Sequence, residues 1–205
     1  MSVMIKICGL VSPDDAALIN QFPINFAGIV LFYEKSRRSR TIQEAQTILQ
    51  ALRPEIKKVA VVVSPTAAQI AEIESSGFDF IQIHGELTDE AMRAARLPIL
   101  KAFNVSDLEQ YPRFQGCDAI AGYVFDAAQP GSGKTFDLSV LEKLPRDGKL
   151  FLLAGGLSSD NVSYAIERIH PDGVDVSSAV EYTGQIGKDP QRVADFVRAV
   201  QGLSD

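Results

Sequence analysis

The sequence has no tryptophan, only two cysteines, Cys8 and Cys117, and only two histidines, His84 and His170. A lone disulfide would add little to a 205-residue chain and suits an oxidising compartment, so both cysteines are read as free thiols. Zinc sites draw paired ligands a few residues apart, and these residues are not spaced that way, so no metal is expected. No apolar run approaches the length of a bilayer span, and the start, Met-Ser-Val-Met-Ile-Lys-Ile-Cys, lacks a basic-then-apolar leader pattern. A membrane partner is therefore not expected, and the cytosol is the expected compartment. Positive charge is also scarce. With 20 Lys+Arg against 26 Asp+Glu the net charge is -6, which weighs against a protein that lies along nucleic acid. An anionic ligand must then be held by local features. Pro- or Ser-rich linkers and low-complexity tracts are absent too, so residues 1–205 read as one domain.

What is present is a regular alternation. Short apolar runs recur at Val3 to Cys8, Phe26 to Leu31, Lys58 to Val63, Phe80 to His84, Ile99 to Phe103, Ala119 to Phe125, Leu150 to Ala154 and Gly173 to Ser177. Between them, segments with helical apolar spacing run Ala16 to Phe22, Ile42 to Leu52, Ala67 to Ser76, Asp89 to Arg96, Leu138 to Leu144, Asn161 to Ile169 and Gln191 to Val200, with a weaker one at Val105 to Tyr111. Strand and helix alternating predict a parallel sheet, and eight units in a chain of this size favour closure into an α/β single-domain (β/α)8 TIM barrel. A doubly wound open sheet is the alternative. Helix caps are expected at Ser12, Thr41, Ser64 and Asp189, and Asp137 reads as the cap of a helix starting at Leu138.

Side chains alternate along a strand, so if Lys6 and Cys8 face the barrel axis then Ile7 faces the helices. The same logic turns Gln82 and His84 inward on one strand and Asp175 and Ser177 inward on another, with Asp126 at the end of a further strand. Barrel interiors are ordinarily filled by branched apolar residues, and barrel enzymes carry their chemistry at the C-terminal strand ends. Taken singly, each inward polar residue is well explained as a satisfied core group, Lys6 pairing with Asp175 for instance. Together at one rim they read as a site that binds a small molecule.

Two loops point to phosphate. Ala154-Gly155-Gly156-Leu157-Ser158-Ser159-Asp160-Asn161 and Ser177-Ser178-Ala179-Val180-Glu181 follow the last two strands, where barrels usually hold this group. Glycines there let backbone N–H groups approach the anion, and a helix N-terminus adds its dipole. A third segment, Ala128-Gln129-Pro130-Gly131-Ser132-Gly133-Lys134-Thr135, approaches a P-loop. A P-loop lysine must open its helix, whereas this helix is capped later, at Asp137, so the match is treated as mostly a decoy.

In order, Lys6-Ile7-Cys8-Gly9-Leu10, Gly28 through Phe32-Tyr33-Glu34-Lys35-Ser36-Arg37-Arg38, Ile81-Gln82-Ile83-His84-Gly85, Gly131 to Asp137, Leu153-Ala154-Gly155-Gly156-Leu157 and Gly173 to Ser178 resemble the phosphoribosylanthranilate isomerase family of tryptophan biosynthesis. The resemblance spans nearly the whole chain. Ala179 departs from the family's usual glycine, the stretch before Arg37 and Arg38 is one residue longer, and the loop after Asp126 is compact. The resemblance implies a cofactor-free Amadori rearrangement of N-(5-phosphoribosyl)anthranilate to 1-(2-carboxyphenylamino)-1-deoxyribulose 5-phosphate. In it Asp126 is the general acid, Cys8 the general base, and Arg38, with Arg37 as the alternative, the partner of the anthranilate carboxylate. Lys6, Gln82, His84 and Asp175 then contact substrate, and Gly133, Gly155, Gly156, Ser177 and Ser178 hold the phosphate. A free carboxyl titrates near pH ~3.9 and a free thiol near ~8.5. The site is expected to draw both toward neutrality, burial raising Asp126 and Lys6 favouring the Cys8 thiolate. Both monomer and homodimer remain open. So do three other functions: a phosphosugar isomerase of histidine biosynthesis, which would use paired aspartates, a non-catalytic phosphate-ligand barrel, and, least favoured, a nucleotide hydrolase on the Gly131 to Thr135 loop.

Overall fold

A strand buried on both faces reads as a nearly continuous apolar run, and each of the eight runs forms one. In the computed structural model, which describes residues 2–126 and 138–202, the strands are β1 (Met4–Cys8), β2 (Phe26–Leu31), β4 (Lys57–Val63), β5 (Phe80–His84), β6 (Ile99–Asn104), β7 (Ile120–Asp126), β8 (Leu150–Ala154) and β9 (Gly173–Val176). A two-residue strand, β3 (Ser39–Arg40), pairs with the C-terminal end of β2. All pairings between these strands are parallel. The order β1-β9-β8-β7-β6-β5-β4-β2 is closed by a β1–β2 ladder, Lys6 opposite Phe26 and Cys8 opposite Gly28. That closure removes both edges and with them the open-sheet alternative.

The crossovers begin where cap chemistry allows. Helix α1 (Pro13–Ile19) starts at Pro13, ahead of the apolar spacing from Ala16, because Ser12 accepts the Asp15 N–H. Helix α2 (Ile42–Ala51) opens on a capping box between Thr41 and Glu44. The cap expected at Ser64 is instead Thr66, which forms a box with Gln69 at the head of α3 (Ala67–Glu74). Ser64 has a φ of 45° and accepts the Glu86 N–H, tying the ends of β4 and β5. Helix α4 (Asp89–Ala94) is followed after β6 by a 3-10 segment, Val105–Arg113, where the weak helical spacing lay; Pro112 falls inside it. Short α5 (Ser139–Glu142) is preceded by Leu138, while Asp137 lies outside the described residues. Helices α6 (Val162–Ile169) and α7 (Pro190–Gln201) complete the ring, the latter capped by Asp189.

Two cores result. Between sheet and helices lie Ile5, Ile7, Ile81, Ile83, Val174 and Val176 with the buried helix faces. Inside the barrel lie Phe26, Val59, Val61, Leu100, Ala102, Val124, Leu152 and Ala154, with Cys8 packed against them. Apolar layers thus plug the axis below the C-terminal rim.

Candidate active site

Alternation on β1, β5 and β9 sends isoleucine and valine into the outer core, so Lys6, Cys8, Gln82, His84 and Asp175 point inward. At the C-terminal rim a cavity of about 300 Å³ is walled by Cys8 from β1, Gln82 and His84 from β5, Asp126 from β7, Asp175 from β9, and the loops carrying Gly155, Gly156, Ser177 and Ser178. Of the residues named from sequence, Lys6 and Arg38 do not line it, and Gly133 lies outside the described residues.

Lys6 sits behind the wall. Its side chain is fully buried and its Nζ donates to Asp175 Oδ2 at 2.7 Å. Gly28 makes room for it: a Cβ there would stand 2.9 Å from Cys8 Sγ and 3.2 Å from Lys6 Nζ. Burial opposes the Lys6 charge, yet Asp175 and then Cys8 outweigh it and hold the ammonium above the ordinary lysine range. Burial likewise lifts the Asp175 carboxyl, with Lys6 pulling it back. Asp175 Oδ1 has no hydrogen-bond partner among the described residues, a buried acceptor beside the cavity.

The Cys8 thiol departs from expectation. Lys6 does favour its thiolate, but burial comes first and Asp175 opposes, so the thiol is pushed up rather than down. Burial outweighs the pull of the lysine. Asp126 ends β7, in register with Asn104 and Ala154, which holds its carboxyl at the rim.

His84 is neutral. Burial, then Lys6 and Lys101, push it down to about 4. Gln82 Nε2 lies 2.8 Å from His84 Nε2, so with the amide donating, the ring accepts there and carries its proton on Nδ1. Gln82 Oε1 is left without a partner among the described residues. A neutral ring beside an unpaired amide oxygen offers both a donor and an acceptor to a hydroxylated ligand.

The loop after β8 needs its glycines: Gly155 and Gly156 have φ of 91° and 63°, a region costly for other residues. The turn is braced within itself, Ser158 N donating to Asn161 Oδ1 and Asn161 Nδ2 to the Gly156 carbonyl.

Arg38 lies beside the cavity, over Gly9, where a Cβ would be 2.6 Å from Arg38 Cδ and 3.1 Å from Ser177 Oγ. It donates from Nε and Nη2 to Glu181 at 2.5 and 2.9 Å. Arg37 makes one bond to the same carboxylate and its side chain is 53% exposed against 23% for Arg38. Sequence reasoning missed Gly28, the role of Glu181, and Lys188, whose buried Nζ donates to the Cys8 carbonyl at 2.6 Å. Gly28 was findable, as the residue facing Cys8 on the next strand. Among the described residues, no group of three or more His, Cys, Asp or Glu could hold a metal, and no helix is long and apolar enough to cross a membrane.

A closed parallel barrel with acid, thiol and glycine-turn loop gathered at the C-terminal rim is a (β/α)8-barrel enzyme. A sequence model of N-(5'-phosphoribosyl)anthranilate (PRA) isomerases matches residues 5–199, and the chain belongs to that family. It is 33% identical to the N-(5'-phosphoribosyl)anthranilate isomerase of Listeria monocytogenes, over 98% of this chain and all of that one. The crystal structure of phosphoribosyl anthranilate isomerase from Thermotoga maritima superposes with a TM-score of 0.85 at 33% identity, covering 98% and 100% of the two chains. A structure of the enzyme in complex with reduced 1-(o-carboxyphenylamino)-1-deoxyribulose 5-phosphate gives 0.83 at 30% identity, with the same coverage.

Proposed function

We propose that this chain isomerises N-(5'-phosphoribosyl)anthranilate to the carboxyphenylamino deoxyribulose phosphate, with Asp126 as general acid and Cys8 as general base. Asp126 gives its proton to the ribose ring oxygen as the C1–O bond breaks and the amine nitrogen supplies the electron pair, leaving an iminium. Cys8 then takes the C2 proton, and the C–H pair moves into the C1–C2 bond to give an enolamine. Tautomerisation returns a proton to C1 and leaves the ketone at C2. The phosphate is held by the loops of Gly155, Gly156, Ser177 and Ser178, with Gly133 proposed to complete them. Gln82, His84 and Asp175 meet the ribose hydroxyls, and Arg38 meets the anthranilate carboxylate, for which a planar guanidinium is suited.

The observation that carries this reading is that Cys8 and Asp126, from β1 and β7, wall one cavity with both glycine and serine loops. Burial pushes the thiol up, so it is protonated at neutral pH and must give up its proton before it accepts the one from C2, which the adjacent iminium acidifies. The test is turnover of freshly generated substrate by wild type, Cys8→Ser and Asp126→Asn. Each variant should lose about 10²- to 10⁴-fold in kcat, the usual worth of one positioned acid or base. Near-normal turnover in both would remove the mechanism, and none in wild type would remove the substrate.

A further inference from the structure

Glu181 follows the 3-10 turn Ser178–Val180 after β9, and its carboxylate is 2% exposed. Three cations surround it. Arg38 donates to it through Nε and Nη2, Arg37 Nη2 approaches at 3.1 Å and Lys188 Nζ at 3.2 Å. Lys188 is fully buried and also donates to the carbonyls of Cys8, at 2.6 Å, and Ser177, at 3.3 Å. Its own N–H is held by Asp15 Oδ1 at 2.7 Å. An unbroken line of contacts therefore joins the thiol's strand end and the β9 loop to the guanidinium over Gly9.

A free arginine carries roughly 2 kcal/mol of rotamer entropy, part of which is lost when it orders on a ligand. Here the two-point grip of Glu181 has ordered it beforehand. Its Nη1 makes no hydrogen bond among the described residues, so one edge of the fork is engaged and the other available. The cluster also stays positive once Glu181 and Asp15 are set against Arg37, Arg38 and Lys188, a local exception in an acidic chain.

We infer that Glu181 is a positioning residue, fixing Arg38 through Nε and Nη2 so that the Nη1 edge meets the substrate's aromatic carboxylate, with Lys188 keeping Glu181 in register with Cys8. This rests on the carboxylate-binding role proposed for Arg38. The opposite arrangement, in which Glu181 competes with substrate for Arg38, predicts the reverse effect on KM.

Steady-state kinetics of wild type, Glu181→Gln, Arg38→Met and the double variant separate these cases. Glu181→Gln should raise KM about tenfold with kcat within about twofold, the worth of one charge-assisted contact. Arg38→Met should raise KM at least as far, and adding Glu181→Gln to it should change nothing more. A KM unchanged or lowered by Glu181→Gln overturns the inference. Effects that multiply in the double variant overturn it too, while leaving the Arg38 reading intact. An unchanged KM in Arg38→Met removes that reading and this inference together. A merely structural Glu181 would lower Tm and kcat and leave KM alone. Glu181→Asp, charged but one methylene shorter, should raise KM about threefold. It carries the test if the amide variant does not fold, a wild-type KM then overturning the inference.

Discussion

Lys6 and Lys101 are both buried on barrel strands, one facing the axis and one facing the helices, and the two regions settle their charges in opposite ways. In the interior, Lys6 meets a full carboxylate at 2.7 Å and is held above the ordinary lysine range. Lys101 lies between Leu100 and Ala102, which face the axis, so its side chain enters the outer layer. There its Nζ donates to the Ala102 carbonyl at 2.7 Å and the Ile83 carbonyl at 3.4 Å, with the Phe103 and Phe114 rings 4.7 and 5.6 Å away. Burial pushes it down to about 8, against the pull of Asp107. Carbonyl dipoles and ring faces offset less desolvation than a paired ion does. The interior needs permanent charges beside its cavity, so acid and base are built there as a pair; the outer layer only needs its volume filled.

The interior pair is the place to break this contrast. Asp175→Asn leaves Lys6 as an uncompensated buried cation and should cost about 3–5 kcal/mol, read from urea unfolding at pH 7. Replacing both partners, Lys6→Met with Asp175→Leu, should recover most of that stability and none of the activity. A loss below about 1 kcal/mol in Asp175→Asn would mean water reaches Lys6, and the interior would then resemble an exposed surface pair.

His84 stands where the fields of both lysines meet, and it sharpens the comparison. Its pKa near 4 lies below the ordinary 6.5, so the unfolded chain binds its proton first as pH falls. The stability it contributes is complete above pH 6.5 and is lost as pH drops through 4. The shift is worth on the order of 3 kcal/mol. His84→Asn should abolish this part of the acid sensitivity, so wild type minus variant should slope downward between pH 6.5 and 4. Parallel stability curves across that window would show that neither burial nor the two lysines hold the ring neutral.

The barrel and half of its site were legible because the strands are regular. On β1, β5 and β9, apolar residues at every second position leave only one place for Lys6, Cys8, Gln82, His84 and Asp175 to point. Loops carry no such period. Nothing local distinguishes Arg37 from Arg38, and the choice appears only when the chain folds Glu181 against them from more than 140 residues away. Lys188 is further still from Cys8, 180 residues along the chain, with no spacing rule to connect them. The cap at Thr66 was visible as Thr-x-x-Gln and was passed over for Ser64 before a proline. The direction at Cys8 differs from expectation because the sequence shows the neighbouring lysine and not the depth of burial, which raises the thiol by more than Lys6 lowers it, with Asp175 adding to the rise.

The outer lysine offers the smallest and most diagnostic change. Lys101→Met keeps an unbranched chain, and its sulfur suits the faces of Phe103 and Phe114. Below pH 8 both folded and unfolded chains carry the charge, and the folded one bears the full cost of burying it. As pH rises from 8 toward 10.5 only the folded chain sheds the proton, so wild type gains stability relative to the variant. Lys101→Met should therefore be more stable by about 1 kcal/mol at pH 7, an advantage that shrinks above pH 8. At Lys6 the single change to methionine should do the reverse, because it strands Asp175. If Lys101→Met proves destabilising by more than about 1 kcal/mol at pH 7, the carbonyls and rings hold the ammonium as firmly as a carboxylate would. The two lysines would then differ in partner and not in kind.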